Sequence, residues 1–240
     1  MSPGNEFDRH AQEYTNTIDQ SIEFSGRDHA FFTALKASEI AALLEKFVPE
    51  TPPQVLDVGC GIGVIHTDLR AAAGTIGLVG VDVSQSSIDL ACRRNPDSLF
   101  MHYDGRRLPF DDMSFDAAFT ICVLHHVDPP ERAAFMAEVG RVVRPGGLAI
   151  IVEHNPLNPV TRHVVNGCEM DRDAVLLRAV ECSTLLKDAG FGEVATRYIA
   201  FLPFDAAWAR RLERCLAWLP LGAQFISYGI RLSENADHGR

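Results

Sequence analysis

The chain has 240 residues, of which 47% are hydrophobic and 22% charged, and these ordinary values for a globular domain exclude a disordered chain. Its 32 acidic and 22 basic side chains give a net charge of −10, which argues against a protein that wraps nucleic acid, because phosphates require a basic surface. No run of about 18 apolar residues occurs, so we expect no membrane span. Six cysteines without a CxxC pair, and a start that lacks the apolar core of a signal peptide, are typical of a reduced, cytoplasmic chain.

Apolar residues at three-to-four spacing predict a first long helix over Gly26–Phe47, which ends at the proline-rich stretch from Pro49 to Pro53. The polar segment Asn5–Asp19 before it is predicted to form a short helix. We therefore interpret residues 1–48 as an N-terminal helical cap or lid on a domain that spans 49–240.

From residue 54 onward, short apolar runs alternate with helical patterns. The predicted strands are Val55–Val58, Gly77–Val83, Leu99–Tyr103, Phe115–Ile121 and Leu148–Glu153. The predicted helices between them are Val64–Ala73, Ser84–Asn95 and Pro130–Val143. This alternation indicates βαβ units, a mostly parallel sheet and helices on both of its faces.

The alternation becomes less regular after Glu153. Two Asn-Pro pairs predict a loop over residues 154–170, and a helix is predicted over Arg172–Ala189. Two further strands, Val194–Phe201 and Gln224–Arg231, are typical of an antiparallel edge. The predicted fold is thus α/β, a doubly wound, Rossmann-like mixed sheet of seven strands, with a cofactor half at 54–156 and acceptor-side elements at 157–240.

A glycine-rich loop follows the first strand of the sheet. Its spacing is GxGxG, so the dinucleotide fingerprint GxGxxG is not met. Asp57 precedes the loop within the strand, where it would repel a pyrophosphate but suits a cationic ligand. Asp82 ends the second strand, where a carboxylate accepts hydrogen bonds from ribose hydroxyls. Together these features favour a nucleoside that carries positive charge.

Five motifs occur in order along the chain. They are VLDVGCGIG at 55–63, VGVDVS at 79–84, YDG at 103–105, FDAAFTICVLHHV at 115–127 and VRPGGLAIIVEHNP at 143–156. In these motifs the chain resembles the class I S-adenosylmethionine-dependent methyltransferases, and within them the small-molecule branch (methyltransferase type 11 domain) that includes the ubiquinone and menaquinone type. The resemblance implies S-adenosylmethionine as cofactor and S-adenosylhomocysteine as product.

The resemblance also implies which residues bind the methionine part of the cofactor. The loop of Gly59, Cys60, Gly61 and Gly63 would pass beneath it, and Asp57 would support the loop or the cofactor's ammonium group.

For the nucleoside part, the resemblance implies that Asp82 binds the ribose hydroxyls and that Val83 packs on the adenine. Asp104 would meet the adenine amino group with Gly105 beside it, and Cys122 would lie near the methionine.

The run of residues 7–14 resembles a lid helix that places a tyrosine, here Tyr14, over the cofactor. The alternative for Tyr14 is an ordinary helix residue that packs on the cap.

Four residues near the ends of strands four and five are candidates for acid–base chemistry: His125, His126, Glu153 and His154. A histidine is the natural base because its ordinary pKa of about 6.5 lies near working pH. His125 and His154 are the leading candidates, and they favour transfer to oxygen over nitrogen or carbon. The structural alternatives are that His126 only hydrogen-bonds the helix that begins near Pro130 and that His154 only holds the loop that starts at Asn155.

The spacing of His154, His163 and Cys168 matches no common metal site, so we expect no metal. The tetrapeptide of amino-methylating nucleic-acid enzymes and the paired-glutamate loop of protein arginine methyltransferases are both absent after strand four. A small organic acceptor is therefore predicted, for a monomer or homodimer. Two alternatives stay open: a non-catalytic, cofactor-binding partner subunit and a nicotinamide-dependent oxidoreductase.

The stretch 197–231 carries five arginines against Asp205 and Glu213. Trp208, Leu212, Leu216 and Leu219 recur within it at helical spacing. A membrane-surface or lipid-acceptor patch would explain this pattern, but a helix that covers the sheet, or a dimer contact, is favoured because core stripes are commoner.

Overall fold

Seven strands of the described residues form one sheet in the order β3-β2-β1-β4-β5-β7-β6. The structure is a computed structural model that describes residues 29–49, 52–202 and 206–233. The strands are β1 Gln54–Val58, β2 Gly77–Asp82, β3 Leu99–His102, β4 Phe115–Ile121, β5 Val143–His154, β6 Phe191–Ile199 and β7 Gln224–Arg231. Strands β1 to β5 are parallel, and β7 pairs antiparallel with both β5 and β6. The predicted doubly wound mixed sheet is confirmed.

Helices cover both faces of this sheet. In chain order, the described α-helices are α1 His29–Phe47, α2 Ile65–Ala73, α3 Gln85–Arg94, α4 Arg132–Val142, α5 Pro159–Gly167, α6 Ala179–Asp188 and α7 Ala207–Leu216. None of these helices combines the length and the hydropathy that spanning a bilayer requires. Of the predicted cap, only the part that contains α1 is described, and α1 packs against α2. Tyr14 and the predicted helix at 5–19 lie outside the described residues.

Alternate residues of β1 face two different layers of core. Leu56 and Val58 belong to one apolar cluster, while Val55 packs in the other, beside residues of α1 and α2. Burial on both faces explains why Val55, Leu56 and Val58 are all apolar rather than alternating with polar residues. Asp57 shares the face of Val55, and this orients its carboxylate toward α2.

The prediction of a loop over 154–170 is wrong, because α5 lies within it. The side-chain oxygen of Asn158 accepts hydrogen bonds from the backbone N–H groups of Val160 and Thr161, and Pro159 occupies the first helical turn. Asparagine at the N-cap followed by proline is a helix start. The Asn-Pro pair that suggested a loop therefore begins a helix.

Two further predictions differ from the structure. The helix predicted over 172–189 begins only at Ala179, since Glu181 accepts the backbone N–H of Arg178 and caps the helix there. The prediction that the stripe of the C-terminal helix covers the sheet is wrong for two members, because Trp208 is 59% and Leu212 41% exposed. The alternative of a dimer contact stays a prediction.

Candidate active site

A cavity of about 860 Å³ opens at the carboxyl ends of β1, β2, β4 and β5. The strand order reverses between β1 and β4, and open α/β sheets bind ligands at such switch points. The cavity brings together most of the predicted site residues. Those that line it are Asp57, Gly59, Cys60, Gly61, Asp82, Val83, Gly105, Cys122, His125, His126 and His154. Gly63, Asp104 and Glu153 are not among the lining residues of the described chain.

The glycine loop crosses the end of β2. The backbone N–H groups of Gly59 and Cys60 both donate to the carbonyl of Val81, at 2.8 and 3.0 Å. Gly59 has φ +81°, and a Cβ there would lie 2.4 Å from Val123 Cγ2. Gly61 has φ +51°, and a Cβ there would meet nothing within 4 Å. Gly59 is thus required by packing, whereas the backbone of Gly61 faces open space in the cavity.

Asp82 ties the end of β2 to this loop. Its Oδ2 accepts the N–H of Gly61 at 2.8 Å, and its Oδ1 accepts the N–H of Ser84 at 2.9 Å. Burial raises the pKa of the Asp82 carboxyl, and the two backbone N–H groups oppose that rise. Each carboxylate oxygen has a further lone pair, so Asp82 can accept additional hydrogen bonds from a ligand in the cavity.

Asp57 forms a buried pair that the sequence did not predict. Its Oδ2 lies 3.1 Å from His66 Nε2, and both side chains are almost fully buried. The other ring nitrogen of His66 lies 3.2 Å from Ser98 Oγ. Burial raises the pKa of Asp57, while His66 lowers it. Asp57 therefore holds β1 to α2 while its side chain lines the cavity floor.

Asp104 is exposed, and its carboxylate serves a turn. Its Oδ1 accepts the backbone N–H groups of Arg106 at 2.9 Å and Arg107 at 3.1 Å, and these hydrogen bonds lower the pKa of Asp104. Gly105 and Val83 line the cavity instead. The predicted contacts of Asp104, Gly105 and Val83 with the adenine stay predictions.

His125 lies between two carboxylates at the opposite end of the cavity. Its Nδ1 is 2.6 Å from Glu153 Oε2, and Glu153 Oε1 accepts the backbone N–H of Leu124 at 2.8 Å. Its Nε2 is 3.4 Å from Asp171 Oδ1, which is equally far from His126 Nε2. The sequence analysis missed Asp171, which follows α5 and lies between the loop predicted over 154–170 and the helix predicted over 172–189.

Burial alone would lower the pKa of His125, but Glu153 and Asp171 outweigh it and hold that pKa well above the ordinary value. Burial would likewise raise the pKa of Glu153, but the charge of His125 lowers it. His154, whose ring lies 5.3 Å from that of His125, is the opposite case: burial and then the charge of His125 lower its pKa to about 4. The two carboxylates therefore favour the protonated, positively charged form of His125, whereas the surroundings of His154 favour its neutral form.

Cys122, Gln224 and Lys36 also line the cavity. Cys122 has φ +55°, a strained conformation for a residue with a side chain. Burial raises the pKa of its thiol to about 11, so the group is neutral. Gln224 Nε2 donates to Cys122 Sγ at 3.4 Å and lies 3.5 Å from His154 Nδ1. Lys36, on α1, is only 8% exposed. No sequence pattern indicated Lys36 or Gln224 as site residues.

Comparison with known proteins agrees with this geometry. Residues 55–147 match a family described as "Methyltransferase domain". The chain is 31% identical to 24-methylenesterol C-methyltransferase 2 of Oryza sativa subsp. japonica over 212 residues, which are 81% of this chain and 56% of that protein. It is 38% identical to the demethylmenaquinone methyltransferase of Beutenbergia cavernae over 100 residues, 42% of this chain and 40% of that protein. The chain contains a class I, S-adenosylmethionine-dependent methyltransferase domain.

The fold of this methyltransferase domain extends over nearly the whole chain. A crystal structure from Thermotoga maritima, described as a SAM-dependent methyltransferase and possible histamine N-methyltransferase, covers 95% of this chain with a TM-score of 0.68 and 20% identity. The alignment includes 99% of that protein. The methyltransferases matched by sequence are longer, since the chain spans only about half of each or less.

His125, His126 and Asp171 also form the kind of group that holds a metal ion, with one ligand atom from each lying within 4.8 Å of the others. Residue spacing does not indicate this group, because Asp171 is distant in the sequence from His125 and His126. The same three side chains also pair as ions, with Asp171 Oδ1 3.4 Å from Nε2 of each histidine. The absence of a metal stays a prediction.

Proposed function

We propose that the chain is an S-adenosylmethionine-dependent methyltransferase that methylates an oxygen atom of a small, largely apolar organic acceptor. The observation that carries this proposal is that a single cavity joins Asp82 and the glycine loop at one end to the pair of His125 and Glu153 at the other. A cofactor and an acceptor bound there would lie end to end. Such an arrangement allows in-line transfer with water excluded.

The residues at the first end fit the cofactor. The backbone of Gly61 faces open space, so an extended ligand can lie against it without a side chain in the way. Asp82 has lone pairs for the ribose hydroxyls, and the neutral thiol of Cys122 suits a position near the sulfur of the methionine. The chemistry that the cofactor supplies when bound is an activated methyl group on a sulfonium.

The second end is built to remove a proton. An acceptor hydroxyl beside His125 Nε2 would lose its proton to that nitrogen as its oxygen gains the methyl group. Glu153 holds Nδ1–H and stabilises the imidazolium that results. The carboxylates make His125 a strong base once its resting proton has left. A strong base is useful for a hydroxyl acceptor, which must lose its proton as it is methylated. A neutral amine can be methylated without prior loss of a proton.

The remaining wall of the cavity favours an apolar acceptor. Phe32, Phe135, Val160, Val164 and Met170 contribute large apolar side chains to it. Two relatives are named for a sterol and a demethylmenaquinone, which are both largely hydrocarbon. These names support an acceptor of the same general character.

Thermal unfolding with S-adenosylhomocysteine, S-adenosylmethionine and NADH in parallel tests the cofactor. A ligand at one hundred times its Kd stabilises a protein by about 2.7 kcal/mol, so we expect a clear shift with the two adenosyl compounds and none with NADH. Asp82→Asn should abolish the shift, because an amide cannot accept both backbone N–H groups and the ribose. Asp89→Asn, on the surface of α3, is the matched control and should keep it.

Transfer of a labelled methyl group to hydroxylated apolar compounds tests the reaction. Product with the native chain, and none with Glu153→Gln, is the expected result. Cofactor binding without transfer to any acceptor would instead favour the alternative of a non-catalytic partner subunit. A shift with NADH alone would favour the oxidoreductase.

A further inference from the structure

The exposed large hydrophobic side chains of the described residues are concentrated in two segments. More than half of them lie in residues 157–160 and 208–221, and we call these residues together the apolar surface. They are Leu157, Val160, Trp208, Leu212, Trp218 and Leu221, between 41% and 75% exposed. Monomeric proteins rarely expose large apolar groups in such a concentration unless the surface binds something.

Direct hydrogen bonds join the two segments. The side-chain amide of Asn158 donates to the carbonyl of Leu221 at 2.7 Å, and that of Asn155 donates to the carbonyl of Gly222 at 2.8 Å. The beginning of α5 therefore lies against the turn that precedes β7. Leu157 and Val160 are thus neighbours of Leu221 and extend the surface that Trp218 begins.

Helix α7 has two large apolar side chains, Trp208 and Leu212, on its outside. Its inner side carries Ala209, which is fully buried, and Glu213, whose Oε1 accepts the backbone N–H groups of Phe201 and Leu202 at 2.8 Å. Trp208 and Leu212 project outward instead. A surface helix in water normally turns its large apolar side chains inward. Large apolar side chains on the outer side are typical of a helix that lies on an apolar phase.

The charges around the apolar surface have one sign. Arg162, Arg211 and Arg214 have exposed side chains, and Glu213, the single acidic residue of stretches 155–167 and 206–222, is turned inward. This basic region lies in a chain of net charge −10. Tryptophan and arginine are the residues that prefer the headgroup level of a bilayer with anionic lipids.

We propose that the apolar surface binds the interface of an anionic lipid bilayer. Val160 of α5 belongs to the surface and also lines the cavity, as do its helix neighbours Thr161 and Val164. An apolar acceptor can therefore pass from the bilayer into the cavity along α5 without crossing water. This second step, unlike the binding itself, rests on the proposed function.

The chain carries its own reporter for the test. Its two tryptophans, Trp208 and Trp218, both lie on the apolar surface. Sonicated vesicles of equal parts phosphatidylcholine and phosphatidylglycerol should shift tryptophan emission to shorter wavelength and sediment the protein. Vesicles of phosphatidylcholine alone should bind it more weakly. Added salt should weaken binding to the anionic vesicles, because it screens the arginines.

Substitutions then locate the surface. Arg211→Gln and Arg214→Gln should each weaken binding to the anionic vesicles about fivefold. Trp218→Glu should weaken it about tenfold or more, since it replaces buried apolar area with a like charge. Leu99→Glu is the matched control: Leu99 is 57% exposed but begins β3, at the other edge of the sheet, and its substitution should leave vesicle binding unchanged.

Two results would overturn the proposal. One is a native chain that binds S-adenosylhomocysteine but neither sediments with anionic vesicles nor shifts its emission. The other is self-association, measured by light scattering, that Trp218→Glu abolishes while vesicle binding is unchanged, because the surface would then join two copies of the chain. Vesicle binding is measured without any methyl transfer, so failure of the proposed function leaves this test intact.

Discussion

Glu153 Oε2 lies 2.6 Å from Nδ1 of His125, and neither side chain is more than 2% exposed. The other oxygen of Glu153 accepts the backbone N–H of Leu124, so the carboxylate is fixed in place. It fixes the proton of His125 on Nδ1 and leaves Nε2 as the basic nitrogen once the ring is neutral. The pair thus determines which atom of the histidine can act on an acceptor.

We expect Glu153→Gln to lower turnover by about 10² to 10⁴-fold. The side-chain oxygen of the introduced glutamine still accepts the backbone N–H of Leu124, and its NH₂ group must then donate to His125 Nδ1. The proton of the neutral ring moves to Nε2, which can no longer accept one. Steady-state kinetics with S-adenosylhomocysteine binding as the folding check measures this effect. Glu138→Gln, a partly exposed control on α4, should keep turnover, and a Glu153→Gln variant within tenfold of the native rate would refute the role of the pair.

The native chain should show opposite pH dependences of turnover and stability. Turnover needs neutral His125, whose pKa is raised, so kcat should increase as pH rises through a value well above 6.5. The raised pKa means that the folded state binds the proton more tightly than the unfolded state. Its contribution to stability is complete below about pH 6.5 and is lost as pH rises through the folded pKa. We expect the rise in kcat and the fall in the thermal midpoint to occur over the same pH range. A rise in kcat that is complete below pH 6 would contradict the assignment of His125 as the base.

The parts of the fold that local pattern determines were predicted from the sequence. Apolar runs gave the strands, and the loop of Gly59 and Gly61 was placed correctly because a tight turn at a strand end needs positive φ. The ends of β4 and β5 brought His125 and Glu153 together, as their positions at neighbouring strand ends require. These features depend on sequence periodicity and on the general topology of parallel sheets.

Partners chosen by long-range packing could not be predicted. Asp171 reaches His125 only because α5 folds back over the cavity, and Lys36 comes from a helix that precedes the sheet. Periodicity also cannot say which side of a helix faces inward. The outward positions of Trp208 and Leu212 on α7 are set by the small Ala209 and by the hydrogen bonds of Glu213.

His154 should matter less than His125. Its pKa of about 4 makes it neutral at any pH above 6, so its removal takes no charge from the site. We expect His154→Asn to lower turnover less than about tenfold and to leave the pH limb in place, while His125→Asn lowers turnover by about 10²-fold or more and removes the limb. The pH profiles of both variants decide the question. If His154→Asn moves the limb or costs as much as His125→Asn, then His154 is the base.

Two glycines of the same loop should respond differently to alanine. Gly61→Ala places a methyl group in the open cavity at φ +51°, so it should weaken S-adenosylhomocysteine binding and reduce stability only by the cost of the backbone conformation, about 1–2 kcal/mol. Gly63→Ala has a similar backbone cost. In addition, its Cβ would lie 2.8 Å from Asn95 Nδ2 and 2.9 Å from Phe100 Cζ. Overpacking of this kind costs about 1–3 kcal/mol more.

Urea unfolding and ligand titration separate the two effects. Gly146→Ala is the control, because Gly146 has φ +79° and open space around it but does not line the cavity. It should lose as much stability as Gly61→Ala and keep the native affinity for S-adenosylhomocysteine. Equal affinities for Gly61→Ala and Gly146→Ala would mean that the ligand does not lie against the Gly61 backbone, and the placement of the cofactor on this loop would have to be abandoned.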